Sequence, residues 1–432
     1  MVCIPFCLTN TYVQTDGRAG GHLRPDLYSA TSTYTERYGI VAAVEVVRFE
    51  ISHMKILDEL VRKEKIDCDL TFSRSYDIYL DADQLANAKK FYDFLVEQGL
   101  DFMDDVKYLS QEEAQGVSRS VPQNVTFAST DSTLEKTAKV RNAQGGFSFS
   151  AGHLWPYKLV AGLIRVAVSR GLNLQSKTMV TEIGKTRTPE GLWPVTTGRG
   201  VIYARKIILA TNAFTSALAP EYSKAIVPCK GLCTQLQTAP GAPYQKLPET
   251  YAIRHGPGAF IYQISRKDGS IIVGGAQYTY RDEPDQWYNN TDDGTLIQNV
   301  EHYFDGYMQR TFFGWEDSQA TVKHIWTGGK QSISPLHIQC AFAICFTNPL
   351  SPAITVMGYS ADSLPHIGAI PGKPGQFIAA GFNGHGMPVI FLCGKAIAQM
   401  AQESISFQET GLPQLFETSA ARLDPVYNDT IG

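Results

Sequence analysis

Apolar residues recur along the chain with two different spacings. From Ile40 to Val61 they return every three or four residues, and this period predicts one long amphipathic helix. The same period predicts further helices at residues 83–98, 159–168, 296–309 and 389–400. Strand-like composition, alternating in places, predicts strands at residues 71–80, 172–183, 193–197, 201–204, 259–264 and 270–273. Helices and strands therefore mix throughout the chain.

Two short apolar runs, at residues 206–210 and 376–380, differ from the other strand-like segments. Each ends at once in small or polar residues, which is typical of a buried parallel strand leading into a functional turn. Between residues 228 and 276, by contrast, short strands separated by glycine and proline turns predict an antiparallel sheet. We therefore expect a Rossmann-like α/β domain together with an α+β domain that carries the antiparallel sheet.

Composition argues against several classes of protein. The 432 residues are 44% hydrophobic and 19% charged, an ordinary globular composition with room for two domains. The formal net charge of −4 and the lack of a basic run argue against a nucleic-acid partner. The sequence has no signal peptide and no apolar run of about 18 residues, so we expect a cytoplasmic protein without a membrane partner. Eight scattered cysteines make no paired CxxC motif, which argues against zinc.

The segment GFNGHGMP, residues 381–388, carries the clearest chemical signal. It lies between a predicted strand and a predicted helix, where its glycines let the backbone approach a ligand closely. The free amides and positive dipole end of the following helix point at the same place. The pattern favours a cofactor or anion site, and the alternative is a turn that only packs.

Four other segments are weaker candidates when each is taken alone. In GRAGGHLRPD, residues 17–26, an arginine, a histidine and a second arginine surround two adjacent glycines. GHLWPYKL (152–159), LATNAFT (209–215) and GYSADSLPHIG (358–368) are turns or loops next to predicted strands or helices. The chain has no GxSxG, no HExxH and no recognisable carboxylate pair, so none of these standard catalytic motifs applies.

Taken in order, these five segments resemble the FAD-dependent oxidoreductases of the D-amino acid oxidase/glycine oxidase superfamily, and most of all a fungal branch of it. That branch has asparagine where this chain has Ala19. The resemblance implies that FAD is bound, that a carbon bearing an amine gives a hydride to flavin N5, and that oxygen or another acceptor reoxidises the flavin. Such chemistry needs positioning more than a dedicated base.

The resemblance also implies a domain division and a set of site residues. The FAD-binding domain would comprise residues 15–66, 150–226 and 357–405, and the substrate domain residues 67–149 and 227–328. The cofactor-binding residues would be Gly17, Arg18, Ala19, Gly20, Gly21 and His22 against the flavin, Val180 at the adenine, Thr211 and Asn212 beside the dinucleotide, Pro365, and Gly381, Asn383, Gly384, His385, Gly386 and Met387 on the N1/O2 side.

The catalytic residues stay open at this point, with His22, Arg24 and Arg254 as the candidates. A carboxylate substrate needs an arginine to bind it. Arg254 and Arg266, in the antiparallel region, are the candidates for that role, and a plain surface position is the alternative for each.

The chain departs from the family in two segments. The family opens with a strand and a GxGxxG turn, and this chain has no GxGxxG motif. Residues 1–14 lack the family pattern and residues 329–356 interrupt it, so we interpret both as translated intron, with residues 120–139 as a third case. The alternative is a real truncation and a real insertion. We expect this chain, as written, to hold FAD poorly or to fold incompletely, because a central strand is missing.

Three functions remain open from the sequence. The first is oxidation of a small amine or amino-acid-like substrate. The second is dehydrogenation of an alcohol or sugar-derived carbon in fungal secondary metabolism, with kojic acid formation as one setting. The third is a remnant without cofactor or catalysis.

Overall fold

The structure is a computed structural model that describes residues 19–116, 138–176, 178–292, 295–300, 302–326 and 356–425. These residues form nine α-helices: α1 (Ser29–Tyr38), α2 (Ile40–Lys63), α3 (Ala82–Glu97), α4 (Gln111–Gln115), α5 (Pro156–Ser169), α6 (Thr215–Leu218), α7 (Pro284–Trp287), α8 (Tyr307–Thr311) and α9 (Ile390–Glu403). None of the helices in this part of the chain has the length and apolarity needed to cross a bilayer.

The same residues form seventeen strands: β1 (His22–Leu23), β2 (Thr71–Tyr79), β3 (Lys107–Leu109), β4 (Gly145–His153), β5 (Val180–Ile183), β6 (Trp193–Thr197), β7 (Gly200–Ala204), β8 (Ile207–Leu209), β9 (Ile226–Lys230), β10 (Cys233–Gln237), β11 (Thr250–Gly256), β12 (Ala259–Ser265), β13 (Ile271–Gly275), β14 (Thr321–Trp326), β15 (Val356–Ser360), β16 (His366–Ala369) and β17 (Gln376–Ala380).

Nine of the strands form one large sheet in the order β1-β4-β2-β11-β12-β13-β10-β14, with β3 also paired to β4. All its pairs are antiparallel except β2 with β11. One face packs on a core that includes Tyr251, Ile261 and Trp315. The opposite face carries Thr250, Arg254, Asp77 and Tyr262, because these residues sit at matching positions of the alternating side chains.

A second module is built around the parallel pair of β17 and β8, with β16 antiparallel on the other side of β17. Both parallel strands are nearly continuous apolar runs in the sequence because they lie in the interior. Every residue of β17 is buried, as are Ile207 and Leu209 of β8. Helices α2 and α9 cover the module, and Val46, Phe49 and Ile397 pack in its core. Two smaller antiparallel sheets, β15-β9 and β5-β6-β7, complete the described part.

The α/β module and the antiparallel sheet confirm the fold class expected from the sequence, and the long helix at α2 is also confirmed. The helix expected over 296–309 is wrong. Only Tyr307–Thr311 is helical, and Ile297, Val300 and Phe304 reach the core from turns instead. The strand expected over 172–183 is shorter, covering Val180–Ile183. The sequence also missed α1, since SATSTYTERY has too few apolar residues to show a helical period.

Candidate functional site

The carboxyl ends of the parallel strands β8 and β17 meet at one edge, and Asn212 joins them. Its side-chain Oδ1 accepts hydrogen bonds from the backbone N–H of Gly381 at 3.0 Å and of Phe382 at 3.3 Å. A Cβ added to Gly358 would lie only 2.6 Å from that oxygen, so the β15 backbone passes close by. The neighbouring Thr211 is buried and bonds Thr215 within the turn. The edge is the place where doubly wound folds bind dinucleotides.

The loop after β17, residues 381–387, is called the cofactor loop from here on. Asn383 stands in the left-handed region, with φ +54°, and uses its side chain to shape the loop. Its Oδ1 accepts from the Ser360 N–H at 2.7 Å, and its Nδ2 donates to the Gly381 carbonyl at 2.9 Å. Asn383 is thus occupied by protein groups, and its contacts are those of a residue that holds the loop in shape.

The cofactor loop presents backbone donors that no described residue accepts from. The N–H groups of Gly384, Gly386 and Met387 have no acceptor within the described part of the chain, and none of these residues is buried. The first turn of α9 follows directly, so its positive end lies behind the same amides. This donor set suits an anionic or strongly accepting oxygen or nitrogen atom.

His385 adds a charge to the cofactor loop. Its Nε2 lies 2.9 Å from Oε2 of Glu50, a buried carboxylate of α2 that also accepts from the Asp26 N–H at 2.7 Å. Burial alone lowers the pKa of His385, but the charge and hydrogen bond of Glu50 outweigh it and raise the pKa above its usual value. The imidazole is therefore biased toward its cationic form beside the free amides.

The glycine pair of GRAGGHLRPD lies between the two modules. Gly21 has φ +88°, and a Cβ there would lie 2.0 Å from the Leu154 carbonyl oxygen, so only glycine fits. A Cβ on Gly20 would lie 2.5 Å from the ring of Tyr262, on the large sheet. Ala19 is the first described residue, and the predictions for Gly17 and Arg18 lie outside the described part.

His22 lies beside Thr250 and Tyr262 of the large sheet. Its Nε2 lies 2.8 Å from the Thr250 hydroxyl, and its ring centroid is 6.4 Å from that of Tyr262. Burial lowers the pKa of His22 well below its usual value, and the nearby charges of Arg24, His153 and His385 lower it further. His22 is accordingly neutral near pH 7.

A buried ionic cluster lies on the face of the large sheet that carries Thr250 and Tyr262. Asp77, with no exposed side-chain surface, accepts from Arg24 Nη2 at 2.7 Å and from Arg254 Nε at 2.6 Å and Nη2 at 2.9 Å. The Tyr28 hydroxyl donates to the same carboxylate at 2.5 Å. Two guanidinium groups and one carboxylate leave one positive charge in surplus, and the buried Nε of Arg24 has no partner among the described residues.

The structure sorts the sequence candidates. Arg254 is buried against Asp77 and is not a surface residue. Arg266 lies away from the cluster, 3.8 Å above the Trp155 ring and paired with Asp268. Val180 is buried beside the parallel strands, in one cluster with Leu209. The Pro365 carbonyl accepts from Arg422 at 3.1 Å.

Sequence reasoning missed Asp77 and Glu50, although each left a signal. Asp77 interrupts a strand between Tyr76 and Ile78, and Glu50 lies on the apolar face of α2 next to Phe49. A carboxylate within a buried pattern requires a partner, so such positions point to an ionic or ligand site.

Comparisons with known proteins identify the family of the chain. Residues 11–400 match the family model described as FAD dependent oxidoreductase. A curated relative, the probable oxidoreductase OrdL of Rhizobium meliloti (strain 1021), is 22% identical over 278 residues, which is 64% of this chain and 54% of the relative. The match thus spans about half the length of that relative.

Solved structures share the fold. Glycine oxidase from Geobacillus kaustophilus aligns with a TM-score of 0.61 at 16% identity, over 89% of this chain and 85% of that one. Glycine oxidase from Bacillus cereus ATCC 14579 gives 0.63 at 12% identity, over 94% and 89%. L-proline dehydrogenase from P. horikoshii gives 0.59 at 15% identity, over 91% and 84%. At such identities the likeness concerns the fold alone.

Proposed function

The chain belongs to the FAD dependent oxidoreductase family, and on that premise we propose that it takes a hydride from a small amine or amino-acid-like substrate. The observation that carries this proposal is the surplus positive charge of Arg24 and Arg254 on the sheet face that also holds Tyr262. A buried cation without a counter-ion favours binding of an anion, and a substrate carboxylate supplies one.

The described residues fit the flavin end of FAD. The free amides of Gly384, Gly386 and Met387, together with the His385 imidazole, suit the electron-rich edge of a flavin. The glycines at 20 and 21 pack directly on the Tyr262 ring and the Leu154 carbonyl, so this segment lies close against the large sheet. The pyrophosphate end is assigned to no residue, because the chain has no GxGxxG motif.

Bound FAD supplies the two-electron acceptor of the reaction. Arg24 would bind the substrate carboxylate through the part of its guanidinium that stays exposed, while Asp77 keeps the guanidinium in place. His22 is neutral, and its contact with the Thr250 hydroxyl fixes the ring beside Tyr262, so it lines the substrate space without adding a charge. His385 and the loop amides stabilise negative charge that develops on their side. Oxygen or another acceptor then takes the electrons.

An anaerobic screen tests this function. Small amino acids, the same amines without the carboxylate, and sugars are added to flavin-loaded protein, and loss of the visible flavin band is followed. We expect amino acids to bleach the flavin, and Arg24→Met to raise the half-saturating concentration about tenfold or more. Arg266→Met, as the matched control, leaves it unchanged. Bleaching by sugars but not by carboxylates contradicts the proposal and favours alcohol oxidation.

A further inference from the structure

The segment after α9 folds back over the parallel strands. Residues 405–425, called the C-terminal arm, lie beyond the end of the family match at residue 400. Phe416 packs edge-on against Phe49 of α2, with ring centroids 5.4 Å apart. The Thr418 N–H donates to the carbonyl of Ile367, a residue of β16, at 2.8 Å. The arm is therefore an integral layer of the module.

Arg422 of the arm holds the loop between β15 and β16. Its Nε and Nη2 donate to the two carboxylate oxygens of Asp362 at 2.7 and 3.0 Å. The same guanidinium donates to the backbone carbonyls of Leu364 at 2.9 Å, Pro365 at 3.1 Å and Glu417 at 3.0 Å. Only arginine has the planar fork that makes all these bonds at once.

The Asp362–Arg422 pair is largely sheltered from solvent, with 12% and 16% of the two side chains exposed. Burial alone raises the pKa of the Asp362 carboxyl, but the hydrogen bonds and charge of Arg422 overcome that effect and hold the pKa below its usual value. The carboxylate is thus ionised near neutral pH. The pair is one between full charges, which is the strong kind of hydrogen bond.

The strand that leads into this loop, β15, supports the cofactor loop. The Ser360 N–H, at the end of β15, donates to Asn383 Oδ1 at 2.7 Å. The Asn383 N–H donates to the Gly358 carbonyl at 2.9 Å. From the other side, the Tyr34 hydroxyl donates to the Ser363 carbonyl at 3.0 Å. Gly358 and Ser360 belong to β15, so the loop that Arg422 holds begins directly after the strand that bonds Asn383.

We propose that Arg422 is a positioning residue for the cofactor loop: through Asp362 and the carbonyls of Leu364 and Pro365 it fixes the segment that follows β15, and so keeps Gly358 and Ser360, at the end of β15, in place to bond Asn383 and shape the cofactor loop. The inference concerns cofactor binding and does not depend on the substrate.

Hydrogen exchange of the full chain tests this without requiring any bound cofactor. Arg422→Gln removes both the charge and the planar guanidinium, and Arg422→Lys keeps only the charge. Asp424→Asn is the control in the same arm, where it breaks an exposed ion pair with Lys224. Within 381–387 we expect the hydrogen-bonded amides, those of Gly381, Asn383 and His385, to exchange about tenfold faster in both Arg422 variants. Exchange in α5 stays unchanged, and Asp424→Asn behaves like the parent.

The affinity for FAD provides the second measurement. We expect the dissociation constant, measured by fluorescence titration, to rise about tenfold in Arg422→Lys and more in Arg422→Gln. Unaltered exchange at 381–387 overturns the proposal, even if FAD affinity falls. Global unfolding of both Arg422 variants also overturns it, because Arg422 is then a purely structural residue. If the substrate screen fails, hydrogen exchange and FAD affinity still test the role of Arg422, because neither measurement uses a substrate.

Discussion

Replacing Asp77 with asparagine perturbs the buried cluster at its centre. The parent carboxylate takes four donors, from Arg24, Arg254 twice and Tyr28, and none of its side-chain surface is exposed. An asparagine of nearly the same shape carries no charge and turns an NH2 group toward one of the guanidiniums. Arg24 and Arg254 are only 12% and 15% exposed, so water compensates little for the loss.

The magnitude follows from the cost of removing one partner of a buried ion pair. That cost is about 3–5 kcal/mol, because the remaining charge stays buried without its counter-ion. Here two cations are left together, so we expect a loss in the free energy of unfolding at the upper end of that range. Asp101→Asn is the matched control: its pair with Arg48 is mostly exposed, and we expect a change below about 1 kcal/mol.

Urea unfolding followed by intrinsic fluorescence measures both variants. The pH dependence gives a second, independent reading. Burial raises the pKa of Asp77, but Arg254 and Arg24 together hold it below its usual value of 3.8. The carboxylate therefore contributes stability above about pH 3.8, and this is lost as the pH falls through the folded pKa. Asp77→Asn lacks that acid dependence. A loss below 1 kcal/mol in Asp77→Asn refutes the assignment of a buried, charge-bearing cluster.

Two further predictions test the backbone and the titration of the site. Gly21→Ala places a Cβ against the Leu154 carbonyl, and we expect it to cost at least about 3 kcal/mol of unfolding free energy. Gly171→Ala is the control: Gly171 also has a positive φ but has open space around it, so we expect a cost of about 1–2 kcal/mol. Equal losses in denaturant unfolding contradict the close contact at Gly21. Burial, and after it the charge of Lys267, lowers the pKa of His153 from 6.5 to about 4. The folded state therefore loses stability as the pH falls between those two values. We expect His153→Gln to flatten that part of the curve of stability against pH, and an unchanged slope argues against a buried neutral imidazole.

Local sequence determined much of the architecture. The period of Ile40 to Val61 is enough for α2, and the uninterrupted apolar runs are enough for β8 and β17, since both faces of these strands are buried. The sequence also pointed to the glycines of the cofactor loop and to the Gly20–Gly21 pair as special backbone positions. At Gly21 the structure gives the reason: φ is positive, and a Cβ would lie against the Leu154 carbonyl. Local pattern failed at residues 296–309, where buried turns imitate a helical period.

Tertiary structure alone decided which charged residues meet. Asp77 lies 53 positions from Arg24 and 177 from Arg254. The pairing of β2 with β11 brings Arg254 to Asp77, and the pairing of β1 with β4, next to β2, brings Arg24. Glu50 reaches His385 across 335 positions, and Arg422 reaches Asp362 across 60. Contacts of such separation depend on strand register and on the packing of helices, which no local pattern encodes. The sequence therefore determined the elements and the flexible glycines, and the packing of distant elements determined the charge distribution of the site.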